Sequence, residues 1–145
     1  LSISITTEKT YWNRMVPELT VSDFYASLNF YQKILGFEIL IQREEPSFVY
    51  LCLGEAQLML EAFHENGWNT GELNKPLGRG INLQIEVDDV SPILENIVIN
   101  KIELYRPLED NYYCIGDTTI CQREFLVQDP DGYLLRFSQY IEHKE

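Results

Sequence analysis

The sequence is short of positive charge, histidine and cysteine, and each shortage removes a class of function. Eleven Lys and Arg stand against 23 Asp and Glu, giving a formal charge of −12. A field of that sign repels phosphate backbones and anionic headgroups, so neither nucleic acid nor a membrane is an expected partner, while cations are. The three cysteines, Cys52, Cys114 and Cys121, lie far apart and form no Cys-x-x-Cys pair. That argues against a disulfide framework or zinc site and for a reducing cytoplasm. The two histidines, His64 and His143, fall past a strand-like segment and in the tail, and both read as surface residues. No apolar run approaches the roughly 18–20 residues that span a bilayer. Residues 1–14 carry neither the basic start nor the apolar stretch of a secretion signal.

What remains is a chain of 145 residues, 45% of them hydrophobic, enough for one domain with a sizeable core. Its strongest internal signal is a repeat. Val21-Ser22-Asp23-Phe24 and Val87-Asp88-Asp89-Val90 each place a carboxylate at a helix N-cap after a strand-like run. Phe24, Leu28, Tyr31 and Leu35 then follow at helical spacing and Gly36 supplies a left-handed stop, so the first helix is predicted over 23–35. Pro92 fits the first turn of a second helix over 89–99. Alternating segments at 16–21, 37–43, 48–53, 57–63, 81–87, 102–106, 119–128 and 133–140 read as eight strands, four per half. The expected organisation is an N-terminal arm (1–14) and a single domain (15–145). The domain comprises a βαβββ module (15–64), a linker (65–79) and a second βαβββ module (80–140). The fold class is α+β, with the modules related by pseudo-twofold symmetry.

Side chains alternate between the two faces of a strand, so each half divides into two rows. One row is wholly apolar and belongs under the helices: Leu19, Val21, Val49, Leu51, Leu53, Leu58, Leu60, Ile81, Leu83, Ile85, Val87, Leu135 and Phe137. The other mixes aromatics with single polar groups, in the manner of a ligand site: Val16, Glu18, Thr20, Phe48, Tyr50, Met59, Glu61, Asn82, Gln84, Glu86, Leu134, Arg136 and Ser138. Arg123 and Phe125 join this second row if the last hairpin turns at Pro130-Asp131. An ordinary solvated or dimer-buried sheet face has a similar composition.

Pro17-Glu18-Leu19-Thr20-Val21-Ser22-Asp23, Phe30-Tyr31, Leu35-Gly36-Phe37, Leu58-Met59-Leu60-Glu61 and Asp129-Pro130-Asp131-Gly132 with Leu134-Leu135-Arg136-Phe137 together resemble the glyoxalase/bleomycin-resistance (vicinal oxygen chelate) superfamily, and within it the bleomycin-resistance proteins. The resemblance implies a cup-shaped site on each half, completed by a second copy in a homodimer. It also implies metal positions at Val16, Glu61, Asn82 and Arg136, where metal-dependent members place His, Glu, His and Glu. One carboxylate and one amide beside an arginine do not hold a divalent ion. No metal or other cofactor is therefore expected, and Arg136 is expected to pair with Glu61 instead.

The reading that follows is non-catalytic binding and sequestration of a small, cationic, antibiotic-type molecule by a homodimer. The ligand-contacting residues are taken as Phe48, Tyr50, Glu61, Trp68, Asn82, Tyr113, Arg123 and Arg136, with Tyr112 and Tyr113 in a loop before the seventh strand. The alternative is an enzyme of the same superfamily, a lyase, isomerase or dioxygenase, using Glu61 as base. The arm, with its Ser-Ile-Ser-Ile-Thr alternation, is expected to act as an edge strand.

Overall fold

The computed structural model describes residues 3–5 and 12–142. The chain divides into two compact units, Leu1–Leu77 and Gly78–Glu145. In the first, β1 (Ile3–Ile5), β3 (Glu38–Arg43), β4 (Phe48–Leu53), β5 (Ala56–Ala62) and β2 (Glu18–Val21) form one sheet in that order. In the second, β6 (Asn82–Glu86), β9 (Leu134–Ile141), β8 (Thr118–Gln128) and β7 (Arg106–Ile115) form another. Leaving aside β1 of the arm, each unit begins with a strand, crosses through a helix and returns to set its last strand parallel to that strand, β5 beside β2 and β9 beside β6. The two modules are thus alike, as the repeat predicts, and the class is α+β.

A carboxylate stands at the N-cap of the first helix only; the N-cap of the second is Val90, which has no side-chain cap bond. Asp23 caps α1 (Phe24–Asn29) by accepting the Ala26 amide at 3.2 Å. The helix then widens into a π-helical turn, Phe30–Ile34, which ends at Leu35 before Gly36 takes φ +91°. Helix α2 (Ser91–Ile99) starts two residues later than the Asp89 carboxylate, which accepts the Ser91 amide at 2.9 Å. Of the arm, β1 pairs antiparallel along β3 and forms a sheet edge, and the rest of 1–11 lies outside the described residues.

The apolar row forms the core in each unit. Val21, Tyr31, Leu40, Val49, Leu51 and Leu60 are fully enclosed in the first, and Ile97, Phe125, Val127, Leu135 and Phe137 in the second. Ile81, expected in that row, precedes β6 and is exposed. A bulge between Ile39 and Ile41 turns Leu40 inward on β3.

Two expectations for the second unit need correction. No strand spans 102–105. Instead β7 runs Arg106–Ile115, so Tyr112 and Tyr113 lie on a strand and not in a loop. Arg106-Pro107 and Asp110-Asn111 resemble loop chemistry, yet β7 is the edge of its sheet, where a proline or a bulge costs no ladder partner. Gly116 (φ +60°) then opens a two-residue hairpin into β8.

The second correction concerns register. A turn centred on Pro130-Asp131 would set Gln128 opposite Tyr133, but Gln128 pairs with Leu134. Asp129 causes the difference, because its Oδ1 accepts the amides of Asp131 (2.9 Å) and Tyr133 (3.0 Å), closing a five-residue turn. A one-residue slip moves every side chain to the opposite face. Phe125 therefore stacks on Phe137 in the core, with centroids 5.4 Å apart, and Arg123 shares that side. Glu124 and Leu126 face the same way as Arg136 and Ser138.

Candidate functional site

In the first unit, the mixed row gathers around Glu61. Glu61 pairs with Phe48 on β4 and with Thr20 on β2, so its carboxylate stands among strand side chains and is mostly buried. Its Oε1 lies 2.5 Å from His64 Nε2, and its Oε2 is 3.5 Å from Arg43 Nη2. An ionised carboxylate only accepts, so Nε2 is the imidazole nitrogen that carries hydrogen. The Arg43 guanidinium also covers the Phe48 ring, 4.4 Å from its centroid. Glu18, on the same face, has its carboxyl held above the usual range, first by burial and then by the neighbouring Glu61 charge.

These groups line a cleft of about 260 Å³ with Pro46, Asn66, Gly67 and Trp68. Trp68 is 95% exposed, yet the turn that carries it is tied down. The Gly67 amide donates to the His64 carbonyl and the Asn69 amide to the Gly67 carbonyl, both at 3.0 Å, and the Thr20 hydroxyl lies 3.0 Å from Asn69 Oδ1. An indole left in water on a fixed backbone is a surface ready to stack. Tyr50 sits apart from this cleft, since its hydroxyl donates to Gln57 at 2.6 Å and its ring meets Trp12 edge-on at 5.0 Å.

In the second unit, Arg136 Nη2 donates to Gln84 Oε1 at 2.8 Å, and Gln84 Nε2 donates to Ser138 Oγ at 3.1 Å. Arg136 Nη1 lies 3.6 Å from Glu124 Oε2, and Glu124 is only 2% exposed. The other oxygen, Oε1, accepts from Tyr113 O–H (2.5 Å) and Asn111 Nδ2 (3.0 Å). That hydrogen bond, with burial, pushes the Tyr113 phenol upward. Arg136, Glu124, Tyr113 and Asn111 border a cavity of about 460 Å³ together with Asn82, Arg106, Glu109, Tyr112 and Leu126.

The residues expected to contact ligand therefore separate into groups. Glu61 and Trp68 border the first cleft with Phe48 beside them, while Asn82, Tyr113 and Arg136 border the second cavity. Arg123 instead forms an exposed bidentate pair with Asp110 on β7, at 2.8 and 3.2 Å. Glu61 and Arg136, expected to pair with each other, each have partners within their own unit. His64, expected as a bland surface residue, is bonded into the cleft, and His143 lies outside the described residues. Glu18 stood in the mixed row without being singled out, whereas Arg43, His64 and Glu124 were missed. The Asp129 turn was the signal that would have turned Glu124 to the working face.

The model of the Glyoxalase/Bleomycin resistance protein/Dioxygenase superfamily matches residues 13–137. The chain belongs to this superfamily. A bleomycin resistance protein of Geobacillus stearothermophilus is 26% identical over 137 residues, covering 87% of this chain and 96% of that one. A lactoylglutathione lyase of Escherichia coli O157:H7 is 30% identical over 133 residues, covering 88% and 90%. Among solved structures, a protein of unknown function from Agrobacterium tumefaciens aligns with a TM-score of 0.68 at 26% identity, covering 92% of this chain and 98% of that one. TioX from Micromonospora sp. ML1 shares the fold at a TM-score of 0.67 and 19% identity, covering 90% and 100%. A resistance protein and a lyase thus both stand among the superfamily relatives. The choice between the two activities has to come from the chemistry of the site.

Proposed function

We propose that this protein binds and sequesters a small, planar organic cation, in the manner its bleomycin-resistance relatives' names suggest, and works as a cytoplasmic homodimer. The observation that carries this reading is Trp68, fully exposed on a tethered turn beside the Glu18 and Glu61 carboxylates. A flat cation can stack on the indole while its charge faces the acids, each cation–π contact adding about 0.5–2 kcal/mol. The chain's charge of −12 draws such a ligand in.

Metal-assisted chemistry does not fit these donors. Of the four positions that metal-dependent relatives use, only Glu61 offers an anionic ligand, and it is engaged by Arg43 and His64. Among the described residues no group of three His, Cys, Asp or Glu is arranged to hold an ion.

One observation favours a second reading, an enzyme. The Glu61 carboxylate lies beside Nε2 of His64 and orients the imidazole, so a ring whose Nε2–H donates to it turns Nδ1 away as an acceptor. The base in that case is His64, oriented by Glu61, and not Glu61 itself.

Calorimetric titration with bleomycin and with a planar phenanthridinium dye tests the binding reading. Trp68→Ala is expected to weaken the dye about 2- to 30-fold without changing the fold. Unchanged affinity in Trp68→Ala, or no binding of either compound, contradicts it. Turnover in a lactoylglutathione lyase assay that His64→Ala abolishes would favour the enzyme.

A further inference from the structure

The two modules treat their outer edge strands differently. In the first, β3 is covered by β1, with Ile3 opposite Arg43, Ser4 opposite Gln42 and Ile5 opposite Ile41. In the second, β7 holds the matching place, and among the described residues no strand pairs with its outer side. It is exposed at every residue but Asn111. A strand with a single neighbour turns half of its backbone N–H and C=O groups outward, where they can pair with another strand. Proteins blunt such edges with proline, bulges or charge. Here Pro107 and the bulge between Arg106 and Glu109 do so for the first residues only. From Glu109 to Ile115 the pairing with β8 runs unbroken, and Gly116 ends it at the hairpin turn.

Charge narrows what can lie along that run. The chain carries −12, so two copies repel over most of their surface. The strand β7 is an exception, because Arg123 neutralises Asp110 at 2.8 and 3.2 Å and Arg106 offsets Glu109. Towards the turn the strand becomes aromatic and apolar, with Tyr112 and Ile115 both well exposed. Antiparallel pairing of this run with itself, centred on Tyr112, uses its whole length. Glu109 then faces Ile115, Asp110 faces Cys114 and Asn111 faces Tyr113, so each acid meets an uncharged residue. A register centred on Asp110 would set two acids face to face.

We propose that β7 is a self-pairing edge, at which Glu109–Ile115 of two copies join antiparallel about a twofold axis at Tyr112 and continue the sheet from one molecule into the other. Such an isologous contact closes after two copies, so the edge is used up in a dimer and does not propagate a filament. The inference deepens the homodimer of the proposed function by naming the strand that joins it. It rests on that part of the reading and not on the dye site.

The test is sedimentation velocity of the whole protein over a concentration series, with circular dichroism to follow the fold. Ile115→Glu sets a like charge opposite Glu109 on both sides of the axis and is expected to weaken the dimer about tenfold. Adding Glu109→Lys is expected to restore it to within about threefold. Adding Glu55→Lys, the same change of charge at an exposed turn off this strand, is expected to restore less. Ile115→Lys, which faces Glu109 with the opposite charge, is expected to hold the dimer at least as tightly as wild type, and decides the matter if Ile115→Glu fails to fold. A wild type that stays monomeric, a dimer indifferent to Ile115→Glu, a dimer weakened by Ile115→Lys, or equal rescue by Glu55→Lys would each overturn the proposal. Indifference to Ile115→Glu would leave the homodimer standing on another surface, and calorimetry of the dye with Trp68→Ala reads the binding site separately.

Discussion

Replacing Asp129 by alanine attacks the turn that decides which side chains of β8 face the second cavity. Its Oδ1 accepts two backbone amides, Asp131 N at 2.9 Å and Tyr133 N at 3.0 Å, and the residue is almost wholly buried. Hydrogen bonds to a charged acceptor contribute about 1.5–3 kcal/mol each, so losing both costs about 3–6 kcal/mol. Whatever hydrogen bonding water restores to the freed amides brings the expectation to about 3–5 kcal/mol, a large share of the roughly 5–15 kcal/mol that holds a domain together. Asp129→Asn keeps an acceptor oxygen in place and loses only the charge assistance, about 1–2 kcal/mol. Urea unfolding followed by circular dichroism measures both variants. A loss within about 1 kcal/mol for Asp129→Ala, or equal losses for the two variants, would refute the claim that this carboxylate sets the turn.

Three further outcomes follow from named contacts. Glu18 has a raised folded pKa, so the folded state holds that proton to higher pH than the unfolded state does. The resulting stabilisation is complete below the ordinary value of 4.5 and is lost as pH rises through the folded pKa. Glu18→Gln should therefore raise the melting temperature at pH 7 relative to wild type by more than it does at pH 4, and a constant difference would contradict this. Phe137→Ala removes a fully buried ring stacked on Phe125 and should cost about 3–5 kcal/mol in urea unfolding; a loss below about 1 kcal/mol would place the ring elsewhere. Arg123→Ala breaks only a solvated pair with Asp110 and should leave dye binding unchanged by calorimetry, whereas weakened binding would show that Arg123 reaches the site.

The elements legible in the sequence were those where local chemistry and burial pattern agree. Asp23 and Gly36 mark the ends of the first helical segment because a cap and a left-handed stop are local devices. The β2–β5 and β4–β5 pairings keep an unbroken register, so Glu61, Phe48 and Thr20 fall on the expected face. Legibility failed where a distant contact overrode a local cue. β7 is an exposed edge whose polar residues and proline imitate a loop. The β8 register depends on one aspartate's two hydrogen bonds, and an error of a single residue there exchanged Glu124 for Arg123. His64 lies beyond the end of β5, where strand alternation carries no information, and only the chain's turn back toward Glu61 gives it a partner.

Binding without chemical change is checked by equilibrium dialysis against the phenanthridinium dye, with recovery of the dye afterwards. Uptake should be saturable, weaken in Trp68→Ala, fall at high salt, and return the dye chemically intact after the protein is denatured. Uptake indifferent to Trp68 and salt, or recovery of an altered compound, would contradict it.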